Sequence, residues 1–343
     1  MNVWIENILK NKKRIAIPIM THPGIELIGK TVYEAVTDGN VHYEAISALN
    51  DRFPAAACTI IMDLTVEAEA FGASIEYFEN EIPTVTGSLI SGVEAIELLE
   101  IPDLMRGRVP QYLLANRLAT ENIKDKPVFG GMIGPFSLAG RLYDMSEFMM
   151  ACYCEPEHTK LLLQKCTEFL TKYCLALKRQ GIQGVVIAEP AAGLLSNEGC
   201  SEFSSQYVKK IVDVVQDENF IVILHNCGNT GHCTAAMLET GAKCYHFGNK
   251  VDMLEVLKEC PKDVIVMGNL DPVTLFQAGT AKDVKDATLS LLQKTAEYSN
   301  FVISTGCDVP PHVPHCNIEA FYEALNEYLS LIHISEPTRQ EAI

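Results

Sequence analysis

The stretch "LHNCGNTGHC", Leu224 to Cys233, places two histidines and two cysteines within ten residues. Neutral imidazole and thiolate are both good zinc ligands, and thiolates favour zinc over harder cations. A closed structural knuckle and an open catalytic centre could both be written this way. His225 and Cys227 are two apart at the end of an extended apolar run, so their side chains leave the backbone on the same side. His232 and Cys233 follow Gly231, where a helix is expected to start. Adjacent residues on a helix point in different directions, so this second pair is assigned to the loop wall and the core. Cys307 stands directly after "FVISTG" and before "DVPPHVP", at the start of a loop. His225, Cys227 and Cys307 together describe an open set of protein ligands, whereas structural zinc is normally closed by four.

Strand ends must carry these side chains. Apolar runs recur along the chain, each followed by a polar or glycine-rich turn. They are "RIAIPIM", "CTIIMDL", "PVFGGMIG", "GVVIAEP", "FIVILHNCG", "AKCYHFG", "DVIVMGN" and "FVISTGC", beginning near residues 14, 58, 127, 184, 220, 242, 263 and 301. Continuous apolar runs suit strands buried on both faces of a parallel sheet. Between them, Leu161, Leu162, Cys166, Phe169, Leu170, Tyr173, Cys174 and Leu177 follow helical spacing from Pro156 to Arg179, with Gly181 at the stop. Lys282 to Tyr298 carries a weaker stripe. The first residues read as an amphipathic helix with Val3, Ile5, Ile8 and Leu9 on one side. Eight strands alternating with helices predict an α/β fold, a (β/α)8 TIM barrel with N-terminal helical additions, as one domain over residues 1–328. The long connection between the second and third strands leaves room for helical excursions.

In such a barrel the active site lies at the C-terminal strand ends. Those ends carry His22, Asp63, Glu189, His225, Cys227, Asn269, Asp271 and Cys307, while the apolar runs are almost free of such groups. His22, Asp63, Glu67, His246, Asn269, Asp271 and His312 are expected around the mouth. Each has a structural alternative, such as a strand-end hydrogen bond or, for Asp271 before Pro272, a helix cap.

Composition narrows the partners. The formal charge of −17 argues against nucleic acid or an anionic membrane surface, which need clustered Lys and Arg. The one dense basic run, "KNKKR" from Lys10 to Arg14, reads as a solvated helix end. No stretch approaches the roughly 18 apolar residues of a membrane span. Twelve cysteines and no recognisable export signal predict reduced thiols in a cytoplasmic protein, with Cys58, Cys166, Cys174 and Cys244 as small core residues.

Several motifs together resemble the uroporphyrinogen decarboxylase superfamily, from about Ile15 to Tyr328. "VMGNLDP" and "IGPFSLAG" resemble its late-strand motif and its Gly-Pro-Phe turn. "MDLTVEAEAFG", "LHNCGN" and "STGCDVP" resemble its zinc-dependent branch, the methylcobamide:coenzyme M methyltransferases and related corrinoid-linked methyltransferases. The resemblance implies Zn2+ on His225, Cys227 and Cys307, with Glu189 as an acidic group that completes the resting site. It implies that a thiol acceptor such as coenzyme M, deprotonated at zinc, takes the methyl group of a methyl-corrinoid. No corrinoid-binding Asp-x-His-x-x-Gly segment is present, so the corrinoid is expected on a partner protein docked over the mouth, near His22, His246, Asn269 and Asp271.

The decarboxylase branch shares the acidic position at Asp63. It also uses N-terminal arginines to hold an anionic porphyrinogen, and "IAIPIMTHPGIELIG" has none. A decarboxylase acting on a smaller substrate and a non-catalytic zinc-binding relative remain the alternatives. Finally, "LSLIHISEPTR", Leu329 to Arg339, resembles a translated sequencing adapter, so residues 329–343 are expected to be a non-native tail and His333 is excluded from any site.

Overall fold

The computed structural model describes residues 1–10 and 14–335. Its strands are β1 (Cys58–Thr59), β2 (Ser74–Glu76), β3 (Thr84–Thr86), β4 (Val128–Ile133), β5 (Gly184–Ala188), β6 (Ile221–Asn226), β7 (Cys244–Phe247), β8 (Ile265–Leu270) and β9 (Phe301–Thr305). All but β2 and β3 form one parallel sheet in the order β1-β4-β5-β6-β7-β8-β9. The buried runs of β4 to β9 fall where the apolar sequence runs place them.

The sheet curls shut through the segment 14–20. Ile17 N–H donates to Ile303 O (3.0 Å), Ile303 N–H to Ile15 O (3.2 Å), and Ala56 N–H to Ala16 O (2.9 Å). This eighth stave is a TIM-barrel member without being a regular strand. Pro18 has no N–H to give a ladder, and the Ile19 N–H takes the Thr305 hydroxyl instead (3.0 Å). The expected first strand is therefore reduced to isolated bridges, Ala16 to Ile303 and Met20 to Val309.

Ile17, Phe129, Val186, Ile221, Ile223, Cys244, Ile265, Met267 and Val302 fill the barrel interior. The helix Asn2–Lys10 plugs its N-terminal end with Ile5 and Ile8, and Trp4 meets Phe129 edge-on at 5.6 Å. Val3, expected on the same face, is exposed. A larger apolar layer lies between the staves and the outer helices. In the helix Pro156–Arg179, Leu162, Cys166, Phe169, Leu170, Tyr173, Cys174 and Leu177 are all buried, and Gly181 follows with φ 93°. Each fully buried Leu or Phe of this stripe contributes about 1.5–3 kcal/mol.

Between β1 and β4 the chain makes the helices Val66–Phe71, Val93–Leu98 and Val109–Asn122 and the antiparallel hairpin β2–β3. Arg14 is buried, unlike the solvated helix end expected for its run. Its guanidinium donates to the carbonyls of Thr295 (2.6 Å) and Ala296 (3.0 Å) beyond the helix Ala281–Lys294. Asn11, Lys12 and Lys13 lie outside the described residues. The last helix, His315–Ser335, runs past Tyr328, and residues 336–343 of the expected tail also lie outside them. Among the described residues no helix is long and apolar enough to cross a membrane.

Candidate metal centre

His225 is on β6 in register with the interior residues Ile221 and Ile223, so alternation turns its ring into the top of the barrel. Asn226, buried, accepts the N–H groups of Gly228 (3.0 Å) and Asn229 (2.9 Å), and this turn fixes the chain around Cys227. Beyond β9, Gly306 N–H donates to Leu270 O (2.6 Å) and Thr21 N–H to Asp308 Oδ1 (2.7 Å), which pins the loop carrying Cys307. The ligand atoms of His225, Cys227 and Cys307 consequently lie within 4.8 Å of one another, with Cys307 Sγ 3.8 Å from His225 Nε2. A tetrahedral zinc with bonds of about 2.3 Å to sulfur and 2.0 Å to nitrogen spaces its ligands roughly 3.5–3.8 Å apart. The trio fits such an ion after small side-chain movements. Both cysteines are half-buried and the histidine is buried, so the open side faces the mouth.

The imidazole is set by a chain of donors behind it. Ser304 Oγ–H donates to Ile17 O (2.7 Å), so its oxygen accepts from His246 Nε2–H (2.8 Å). His246 Nδ1 is then the acceptor for His225 Nδ1–H at 2.8 Å. The Nε2 lone pair of His225 is left facing the two cysteines. Burial, reinforced by His225, pushes the His246 pKa well down and keeps that ring neutral. The thiols are coupled as well. A hydrogen bond from Cys307 lowers Cys227 to about 7, and the same contact pushes Cys307 up. A cation bound there would displace the thiol protons.

The rest of "LHNCGNTGHC" is structural. Asn229 Oδ1 accepts the N–H groups of Gly231 (2.9 Å) and Cys233 (3.0 Å), His232 Nε2 contacts Leu195 O (2.9 Å), and Cys233 is buried.

The other expected site residues divide. Glu189 is buried, but its carboxylate turns outward to the helix Pro135–Tyr143. It accepts Phe136 N–H (3.2 Å), Ser137 N–H (2.8 Å) and Ser204 Oγ–H (2.6 Å), and it is absent from the metal-ligand trio. A carboxylate at a helix N-terminus is a stabilising cap. Gly134 must be glycine there, since a Cβ would fall 2.2 Å from Glu189 Cγ. Asp63 is likewise occupied, by Thr65 N–H (2.9 Å), Thr65 Oγ–H (2.7 Å) and an ion pair with Arg108.

His22 lies in the mouth beside Asp308; burial lowers its pKa and the Asp308 charge opposes that shift. His246 is not at the mouth surface but behind His225. Asn269 holds the loop after β7 through Gly248 O (3.0 Å) and Val251 O (2.9 Å). Asp271 caps a helical turn at Val273 and Thr274 N–H (both 2.9 Å), and His312 sits on the rim against Glu26. Glu67 is buried, accepts Ile133 N–H (3.0 Å) with one oxygen and leaves the other without a partner among the described residues. Sequence reasoning missed Ser304 and Arg108. The signal for Ser304 was its period-two register with the inward-facing Val302 of β9.

Residues 14–328 match the uroporphyrinogen decarboxylase (URO-D) family. The chain is 30% identical over 276 residues to the methylcobamide:CoM methyltransferase MtbA of Methanosarcina acetivorans, covering 79% of this chain and 80% of that protein. It is 26% identical over 291 residues to a uroporphyrinogen decarboxylase of Legionella pneumophila, covering 82% of each. A solved methyltransferase from Methanosarcina mazei shares the fold, with a TM-score of 0.85 at 24% identity over 94% of this chain and 97% of that one. Together with the barrel described above, these likenesses place the chain in the uroporphyrinogen decarboxylase family.

Proposed function

We propose that this methyltransferase takes a methyl group from a methyl-corrinoid carried by a separate protein and gives it to a small thiol, with zinc held by His225, Cys227 and Cys307. The observation that carries the reading is the convergence of one imidazole and two thiols at the C-terminal mouth of the barrel. Kinship with the methylcobamide:CoM methyltransferase at 30% identity supports the donor and names CoM as the first thiol to try. Zinc bound there would supply the chemistry of lowering a thiol's pKa, so that it is nucleophilic at neutral pH.

The chain's own residues do the remaining work. Ser304 and His246 orient the His225 lone pair, the Asn226 turn fixes Cys227, and the Asp308 tie fixes Cys307. The open side of the trio gives the acceptor sulfur a place to arrive. Methyl transfer then forms a carbon–sulfur bond and returns the electron pair of the cobalt–carbon bond to cobalt. Glu189 and Asp63 serve this site as structural carboxylates. The engagement of Asp63 by Arg108 also speaks against a decarboxylase reading in which Asp63 must meet substrate. Free cysteines throughout fit a reducing, cytoplasmic location.

Purified protein with methylcobalamin and a thiol panel, followed anaerobically by cobalt(I) absorbance, tests the proposal. Methyl transfer by the wild type that is lost in H225A and C307A supports it. Full zinc occupancy without transfer to any thiol overturns the catalytic reading in favour of a zinc-binding relative.

A further inference from the structure

A cleft of about 300 Å³ is walled in part by Gly87, Ser137, Arg141, Asp144, Pro190 and Ala191. It adjoins the Cys227 loop. A Cβ on Gly228 would fall 2.2 Å from Pro190 O, and Ala191 N–H donates to Ser137 Oγ (3.2 Å). Arg141, on the helix Pro135–Tyr143, is half-buried in this wall.

The other arginines taken into the structure are fully engaged. Arg14 holds carbonyls, and Arg108 holds Asp63, Glu69 (2.7 Å) and Thr65 (2.7 Å). Arg141 has no hydrogen-bond or ion-pair partner among the described residues. Its surroundings act on it through burial and through the more distant charges of Asp63 and Glu67. Asp63 is already paired with Arg108, and among the described residues neither acid makes a hydrogen bond or ion pair with Arg141. The acid within the cleft, Asp144, turns Oδ1 to Ser146 N–H (2.9 Å) and Glu147 N–H (3.2 Å) and caps the next helix. A guanidinium drawn partly out of water with no partner favours an oxyanion, whose geometry its planar fork matches.

We propose that Arg141 is the specificity-determining residue for the acceptor, binding the anionic end of a short thiol, a sulfonate or carboxylate, whose sulfur reaches the metal trio. The thiol half of this assignment rests on the methyl-transfer reading; the anion site does not. The wall formed by Pro190 and Ala191 makes the cleft and the Cys227 loop neighbours, which suits a ligand spanning both.

Two measurements test it. Isothermal titration with 1-propanesulfonate, an anion without a thiol, is run on wild type, R141Q and R141K. Binding by the wild type, retained in part by R141K and weakened roughly 10- to 100-fold in R141Q, is expected. The neutral 1-propanesulfonamide should bind none of them measurably. In the methyl-transfer assay, the kcat/KM ratio of 2-mercaptoethanesulfonate to 2-mercaptoethanol should fall by a similar factor in R141Q. Equal propanesulfonate affinity in wild type and R141Q overturns the proposal, as does an unchanged thiol ratio. If the wild type transfers no methyl group at all, the methyl-transfer reading fails alone and the titration still decides the anion site.

Discussion

His246 Nδ1 lies 2.8 Å from His225 Nδ1, with both rings buried and the His246 ring anchored through Nε2 to Ser304 Oγ (2.8 Å). Two imidazoles in contact share one proton, and Ser304 decides which nitrogen receives it. His246 is a positioning residue that makes the other face of His225 a ligand.

This relay predicts that S304A and H246F weaken zinc binding roughly 10- to 100-fold. Competition with a calibrated chelator reads the affinity directly, without reference to turnover. S304T, which keeps the hydroxyl, should restore most of it. Wild-type affinity in S304A would show that the His225 tautomer is set some other way.

The Asp63–Arg108 pair predicts a stability effect. Its side chains are 0% and 6% exposed. D63N leaves a buried guanidinium short of its main counter-charge, at a cost of about 3 kcal/mol, the low end for a broken buried pair because Glu69 remains. The urea midpoint should drop accordingly while zinc affinity holds. Unchanged stability with abolished turnover would instead return Asp63 to the chemistry.

Glu67 predicts a pH dependence. Burial raises its pKa to about 7, with the Asp63 charge adding and the Ile133 N–H and Arg108 opposing. Tyr112, Tyr173 and Arg141 also face this acid. In the unfolded chain a glutamate ionises near its ordinary value of about 4.3. Between these values the folded state binds the proton and the unfolded state does not, so stability falls as pH rises from about 4.3 to about 7. The slope is at most about 1.4 kcal/mol per pH unit. E67Q keeps a neutral buried side chain and should remove that component of the slope. Parallel wild-type and E67Q stability curves across this window would contradict the assignment.

The staves β4 to β9 were legible because they are buried almost throughout, which writes a continuous apolar run. The trio was legible because His225 ends a buried strand with Cys227 two residues on, in the turn that follows, and the glycine before Cys307 opens a loop. Glu189 was harder. Its position at a strand end is local, but its partners are the N–H groups at the start of a helix that follows β4, more than fifty residues away in sequence. The hairpin β2–β3 was invisible because "SIE" and "TVT" are short and half-exposed. His246 could have been placed, since Cys244 is interior and the residue two beyond it must be interior too.

Zinc-edge X-ray absorption, before and after adding a thiol acceptor, tests the central claim most directly. The account predicts one bound zinc with one imidazole nitrogen and two sulfur neighbours, rising to three sulfurs when the thiol enters. A zinc already closed by four protein ligands and unchanged by thiol, or no zinc at all, would contradict it.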